Sequence, residues 1–532
     1  LTAPEHHAAS DALRADYDTT PYKSYAIPQS APGLLAAIAH LFGLETADVA
    51  TARVLEIGCA AAGNIIPFAA RHPEARVVGI DLSPVQIEQG RAHVAALGLN
   101  NVELAVGDIA TADLAVRGQF DFIVCHGVYS WVPDNVQDAI LTAFRKLLAP
   151  EGVAYLSYNT YPGWKSKEVM RDAMLLAGGA SGTPEQRVTD ARDMVGFLEE
   201  VAPADGVLAR VLAEFRSRDE AFGDFFLLHD ELESVNSPCY FYEMVGRAAE
   251  KGLVYLGEAR PETMVPANHG PKVAEFLAEK CAGVQVLVEQ YIDFAINRSF
   301  RESLFVHAER ARQIAYQPDP RRYQRLHFAA WTPPADGQTR MDQSRQEYVE
   351  ADGATLFTND PGIKAALEAL NDRWPWTLSR QELIDTVTAR LIAAGFTPSV
   401  TIADTVDNLM GVLIGQGQAR FRVDPVLPEP TPTPLRVDDA AGRMAGLAAG
   451  GEASTFNAWH EPLILSPVDR HLVPLLDGTR DRDTLVDALV AIDAENPIEI
   501  EDAAGRSRRE VFTEQVDTLA QRLAEMKLIR ID

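Results

Sequence analysis

Between Arg53 and Asn64 the chain reads RVLEIGCAAAGN, an apolar run that stops at small residues and gives way to IIPFAARH. This is the pattern of a strand feeding a tight turn that opens a helix. A helix N-terminus presents unpaired N–H groups, and small residues let a ligand approach them closely. The turn has no Lys-Ser/Thr after it, so it is not a phosphate-binding P-loop, and Ala60 stands where G-x-G-x-x-G needs its second glycine. It carries instead Glu56, Gly58, Cys59, Gly63 and Asn64. Farther on, RVVGID ends in Asp81 followed by Leu82, an acid at the tip of a second strand where ribose hydroxyls bind. A third strand, NVELAVGDI, ends in Gly107, Asp108 and Ile109, a carboxylate beside an apolar side chain that suits an adenine amino group and ring face. Three successive strand tips therefore offer places for an amino acid, a ribose and an adenine.

That ordered trio resembles the class I S-adenosylmethionine methyltransferases, with E-x-G-C-x-x-x-G-N as first motif. The resemblance implies S-adenosylmethionine as cofactor and S-adenosylhomocysteine as product. The residues expected to bind it are Tyr22, Glu56, Gly58, Cys59, Gly63, Asn64, Asp81, Leu82, Gly107, Asp108, Ile109 and His126. No metal is expected.

Beyond the next two apolar runs, QFDFIVC and GVAYLSYN, the chain carries His126, Tyr129, Trp131, Tyr158, Tyr161 and Trp164. Methyl transfer is an in-line displacement, so a protein mainly aligns and desolvates the nucleophile. An apolar aromatic site disfavours the charged form of an amine and attracts a cationic donor by about 0.5–2 kcal/mol per ring. Tyr129, Trp131, Tyr158, Tyr161 and Trp164 are accordingly expected to form the acceptor pocket, with His126 or a tyrosine hydroxyl as proton acceptor; the alternative is that most of them are packing residues. Asp230 and Glu231, in the HDELE run at 229–233, are expected to face a basic substrate, against the alternative of a solvated acidic loop.

Strands alternating with helices predict an α/β fold, a doubly wound Rossmann-like sheet with ligands beyond the carboxyl ends of its strands. The late runs LVYLGEA and RESLFVHAE supply the sixth and seventh strands, which makes 1–310 the methyltransferase domain and about 165–240 a helical insertion. An amphipathic run, Gly33 to Phe42, should pack on the sheet edge, and the aromatic segment ahead of it, with Tyr17, Tyr22 and Tyr25, reads as a wrapped arm or a lid. After a connecting region with a hairpin around Asp352-Gly353 (311–360), a winged-helix-like module spans 361–423, a Pro- then Ala/Gly-rich linker 424–455, and a second such module 456–532. VDNL at 406–409 and VDTL at 516–519 mark them as a degenerate tandem repeat. Because the sheet closes before 310, these modules are expected to be dispensable for cofactor binding.

Forty-eight Lys and Arg against 76 Asp and Glu leave a formal net charge of −28, which opposes a nucleic-acid substrate and favours a cationic partner. Four cysteines, Cys59, Cys125, Cys239 and Cys281, are too widely spaced for a metal or redox pair, and reduced thiols in a cytoplasm are expected. No run of eighteen apolar residues is present, so no membrane span is expected.

PYKSYAIPQSAPGLLAAIAHLFGL, VLEIGCAAAGN, YNTYPGW, HDELESVNSPCYFYE and QYIDFAINRSFRESLFVHA together resemble bacterial methyltransferases with a methyltransferase regulatory domain. That group includes the rickettsial protein-lysine methyltransferases acting on outer-membrane protein. Where the family turn usually reads GCASGGN, Ala61 and Ala62 stand here. The resemblance implies methyl transfer to lysine in basic segments of a protein, and leaves a homodimer open. The other readings are a small-molecule or natural-product N- or O-methyltransferase and a non-catalytic S-adenosylmethionine-binding regulator.

Overall fold

A computed structural model describes residues 23–178, 182–349, 353–397, 401–427, 433–447, 454–500 and 505–529, without the side chains of 218–226 and 229. Tyr17, Tyr22, Asp352 and the side chains of Phe225, Phe226 and His229 therefore lie outside the described residues.

The sheet is built from β1 (Arg53–Ile57), β2 (Arg76–Asp81), β3 (Val102–Val106), β4 (Phe120–Cys125), β5 (Leu148–Tyr161), β6 (Cys239–Tyr240), β7 (Leu253–Glu258) and β8 (Phe300–His307). Its order is β3-β2-β1-β4-β5-β8-β7, with β6 paired to β5 off this path. The first five strands run parallel, and β8 runs antiparallel to both its neighbours. The order reverses between β1 and β4, so the carboxyl ends of these strands flank the crevice where ligands bind in such sheets. The central strands are apolar throughout because both faces are covered: Val54, Leu55, Val77, Val78, Ile123 and Val124 are all buried. The helix Pro84–Leu97 follows β2 with its boundaries written in the sequence. Ser83 caps it by accepting from Gln86 N, Pro84 occupies the first turn, and Gly98 ends it at φ 70°.

The insertion contains the helices Gly163–Gly178, Pro184–Val201 and Val207–Phe226, packed around Met170, Met174, Leu212 and Phe215. Thr183 and Gln186 form a capping box at the start of Pro184–Val201. The segments QYIDF and RESLF have a structural role. Arg301 on β8 is fully buried and bonds Glu258 at 2.6 Å, Asp293 at 2.7 Å and Glu289 at 3.1 Å. Its guanidinium lies 3.9 Å from the centre of the Phe241 ring. This cluster bolts the helix Gln285–Ile296 to the last two strands of the sheet; removing one member of such a buried set leaves an uncompensated charge.

In the C-terminal third, three helices (Pro361–Arg373, Arg380–Ala393, Ile402–Gly415) pack beside a three-stranded sheet. The middle strand of that sheet is β9 (His327–Ala330), drawn from the stretch read as a connecting region. HFAA is too short to show an alternation, so its pairing was not readable. A second core gathers Leu472, Leu485, Leu489, Phe512 and Leu519. The two VD-x-L sequences differ in setting: the first lies inside the helix Ile402–Gly415, the second at the break between Arg508–Asp517 and Leu519–Glu525. Among the described residues no helix is long and apolar enough to cross a membrane.

The expectation that these modules are dispensable is revised. The main core runs unbroken from Leu35, Ile38 and Leu55 to Phe328, Leu367, Phe421 and Phe456. The helix Pro32–Leu41 is buried on nearly all sides because β-strand Ala419–Arg422 packs against it. At Gly33 a Cβ would stand 2.0 Å from Asp424 Oδ1, so only glycine lets the two segments approach. Arg71, behind the first turn, donates to the carbonyls of Ala458, at 2.9 Å, and Pro425.

Candidate active site

At the carboxyl ends of β1 to β4 opens a cavity of about 620 Å³. One end is lined by Glu56, Gly58, Cys59, Asn64, Asp81, Leu82, Gly107, Asp108 and Ile109. The turn after β1 is bent by left-handed backbone at Gly58 (φ 74°), Ala60 (φ 46°) and Ala62 (φ 65°). Asp81 fixes it from the next strand, with Ala60 N donating to Oδ2 at 2.8 Å, and is itself held by its own loop, with Ser83 N donating to Oδ1 at 2.9 Å. Asp108 is likewise held by its own loop, accepting from Ala110 N at 2.8 Å.

Glu56 Oε1 accepts from Asn64 Nδ2 at 2.7 Å, whereas Oε2 is buried and accepts no hydrogen bond from the described residues. Burial, with a lesser push from Asp81, raises this carboxyl to about 8. A buried acceptor of this kind suits a ligand ammonium. Asn64 is itself pinned: its Oδ1 receives Ile27 N at 2.8 Å and lies 3.0 Å from Nε2 of His460, which belongs to the C-terminal third. Gly63 does not line the cavity. Its N–H donates to Ser24 Oγ at 2.7 Å, and a Cβ there would lie 2.1 Å from Ser24 O. Glycine is needed so that the segment Lys23–Ile27, which also lines the cavity, can cross the turn.

The other end is lined by His126, Trp131, Asn159, Trp164, Lys167, Asp230, Glu231, Ser299 and Phe300. Trp131 and Trp164 meet edge to face at 6.1 Å. Lys167 Nζ donates to Ser299 Oγ at 3.0 Å. Asp230 and Glu231 come from the turn Leu227–Glu231, held by buried Arg171, which donates to Glu231 O at 2.5 Å. The His126 ring faces the cavity yet lies deep in the protein, and burial lowers its imidazole to about 4.

Tyr129, Tyr158 and Tyr161 stand outside this cavity, so the structure does not bring them together with Trp131 and Trp164. Tyr158 is buried with its hydroxyl 3.1 Å from Ser303 Oγ and its ring 6.4 Å from that of Tyr129. Successive side chains of a strand point to opposite faces, so Asn159 enters the cavity and Tyr158 the core. Tyr129 and Trp131 diverge in the same way within a one-turn 3₁₀ helix. Tyr161 packs on Tyr240, ring centres 5.3 Å apart, and donates to Glu168 at 2.5 Å. Tyr25, from the segment read as an arm or a lid, lines the cavity, and Lys23, Gln86, Lys167, Phe300 and Pro462 line it without having been expected there.

Comparison with known proteins agrees with this geometry. Residues 54–152 match the family described as "Methyltransferase domain", 224–307 "Predicted methyltransferase regulatory domain", and 440–528 "PKMT, C-terminal winged helix domain". The chain is 30% identical over 484 residues to the uncharacterized protein RP789 of Rickettsia prowazekii, covering 89% of this chain and 85% of that one. RP028 of the same organism is 34% identical over 244 residues, 46% of this chain and 97% of its own length. PKMT2 from Rickettsia typhi, solved in complex with AdoHcy, superposes with a TM-score of 0.82 at 26% identity, covering 96% of this chain and 99% of PKMT2. The chain is thus an S-adenosylmethionine-dependent methyltransferase and belongs to the bacterial family that joins a class I methyltransferase domain to the regulatory domain and the PKMT winged-helix domain.

Proposed function

We propose that this methyltransferase N-methylates lysine side chains in basic segments of a protein. The observation that carries the reading is the charge of the cavity: Asp81, Asp108, Asp230 and Glu231 line it against Lys23 and Lys167. Such a lining attracts a cationic acceptor and repels anionic metabolites. When bound, S-adenosylmethionine supplies a methyl group activated on a sulfonium. Asp81 would hold the ribose hydroxyls, Glu56 the ammonium, and Asp108 with Ile109 the adenine. At the acceptor end, Trp131 and Trp164 exclude water and disfavour an ammonium, while Asp230 and Glu231 draw the basic segment in.

The test is transfer of tritium from S-adenosyl-L-[methyl-³H]methionine to a lysine-rich synthetic peptide and to its all-arginine counterpart. Label is expected in the lysine peptide alone. Its apparent KM should rise with salt, because the screening length shrinks from about 10 Å at 0.1 M to about 3 Å at 1 M. Asp230→Asn combined with Glu231→Gln should raise that KM and leave AdoHcy affinity within about twofold. Salt-independent kinetics with an unaltered KM in the double variant would transfer the reading to a neutral small-molecule acceptor.

A further inference from the structure

From the acceptor end a line of polar side chains crosses three neighbouring strands toward the surface. His126, just past β4, has its Nδ1 2.8 Å from the hydroxyl of Tyr155 on β5. Tyr155, fully buried, donates that hydroxyl to Glu302 Oε1 on β8 at 3.0 Å. Glu302 Oε2 pairs at 3.0 Å with Arg260, whose side chain is half exposed. A buried tyrosine needs one partner for its hydroxyl. Here two partners lie on opposite sides of it, one facing the cavity and the other an ion pair at the surface.

We infer that His126, Tyr155 and Glu302 form a proton exit through which the acceptor's proton leaves the cavity during methyl transfer. This rests on an amine acceptor, the reading given above. The acceptor nitrogen's lone pair forms the new C–N bond as the C–S bond breaks, and the C–S electron pair stays on sulfur. The N–H proton that blocks this lone pair in the incoming ammonium goes first to His126 Nε2, the Nδ1 proton passes to Tyr155 Oη, and the Tyr155 hydroxyl proton passes to Glu302 Oε1. One positive charge is lost at sulfur and one negative charge at Glu302, so no imidazolium is left behind. Burial makes a lasting imidazolium costly at His126 and raises the carboxyl of Glu302 above its ordinary range. The groups packed around the line fit this direction. The uncharged ring of Phe300 meets that of His126 edge to face, with ring centres 6.1 Å apart. Glu258, held by Arg301, accepts from Glu302 N at 3.2 Å, adding negative charge beside the terminal carboxyl, while Arg260 opposes it.

Two readouts on the full chain test the exit. In ¹⁵N-histidine spectra of the AdoHcy-bound protein, with His126 assigned by its loss in His126→Gln, the ring should be neutral and protonated on Nδ1 from pH 6 to 8. Tyr155→Phe should shift that tautomer. In single turnovers with S-adenosylmethionine and the lysine-rich peptide, Tyr155→Phe should slow transfer at least about tenfold at pH 7. KM for S-adenosylmethionine should be unchanged, and the deficit should close as pH approaches the lysine pKa of about 10.4. Glu302→Gln should behave alike and serves if Tyr155→Phe does not fold. A wild-type ring protonated on Nε2, or variant pH–rate profiles parallel to wild type, overturns the exit. A peptide that wild type does not methylate overturns the lysine reading instead, and the tautomer measurement then decides the exit by itself.

Discussion

The two ends of the cavity are built by different means. At the cofactor end the shape is made by backbone: three left-handed residues in one turn, and peptide N–H groups that lock Asp81 and Asp108 in place. At the proposed acceptor end it is made by side chains from just past β4, from β5, from the insertion and from the start of β8, held by long-range contacts. Backbone geometry depends on a few neighbouring residues and recurs wherever the strand–turn–helix recurs. A wall of side chains depends on everything packed behind it. The difference separates a common cofactor site from an acceptor site that is free to vary.

The largest expected effect breaks this contrast from the far end of the chain. A chain ending at residue 310 should fail to bind AdoHcy in calorimetry, because it loses His460 from Asn64, the Pro462 wall and the partners of Arg71, and bares the core that runs on to Phe456. AdoHcy binding of full strength by that fragment would show that the cofactor end stands on its own backbone. His460→Ala is the milder form: one buried hydrogen bond is worth about 0.5–1.5 kcal/mol, about two- to twelvefold in affinity.

Next in size is Asp81→Asn. It keeps the shape and one of the two backbone N–H contacts, but removes the charge from hydrogen bonds worth about 1.5–3 kcal/mol each, so AdoHcy affinity should fall at least about tenfold. Unchanged affinity in a folded variant would remove the ribose from Asp81. The acceptor-end counterpart, Trp164→Ala, should impair transfer to the peptide while leaving AdoHcy affinity within about twofold.

A smaller effect follows from Glu56. Its carboxyl is raised from 4.5 to about 8 in the folded chain. An acid whose pKa rises on folding favours its protonated form there. The free protein therefore keeps the associated stability below about pH 4.5 and loses it progressively as pH climbs to about 8. A ligand ammonium against Oε2 favours the ionised form, so near pH 7 AdoHcy binding should release protons, and its affinity should strengthen from pH 6 to 8. Calorimetry in buffers of different ionisation enthalpy reads this directly. Glu56→Gln should abolish both the release and the slope, and release that persists in that variant would place the titrating group elsewhere.

The same contrast governs what the sequence disclosed. Glu56, Asp81 and Asp108 were legible as lining residues because they sit at or just past strand ends, and the parallel strands followed from the alternation of strands and helices, whereas the strand order and the antiparallel run of β8 did not. The acceptor end was half legible. Trp131, Trp164, Asp230 and Glu231 line the cavity, but a one-residue change of face sent Tyr158 into the core and Asn159 to the site. His460 meets Asn64 across 396 residues, and Tyr155 meets Glu302 across 147, contacts that no local pattern encodes. QYIDF, read as a family signature, proved to be the anchor of a buried ion cluster, since Asp293 holds Arg301.

The smallest expected effect lies at Ala62, buried in left-handed backbone at φ 65°, a conformation that favours glycine. For a residue with a Cβ that conformation costs about 1–2 kcal/mol. Ala62→Gly relieves it, but frees the unfolded chain at a cost of about 0.4–1 kcal/mol and gives up a buried methyl worth about 0.8 kcal/mol. The three terms nearly cancel, so denaturant unfolding should place the variant within about 0.5 kcal/mol of wild type. The peptide N–H groups keep their positions, so AdoHcy affinity should stay within about twofold. Ala62→Val puts a stiff β-branched side chain in the same conformation and should lose both stability and affinity. If Ala62→Gly instead weakened AdoHcy binding tenfold, the methyl group rather than the backbone would be shaping the cofactor end, and the contrast between the two ends of the cavity would fail where it is drawn most sharply.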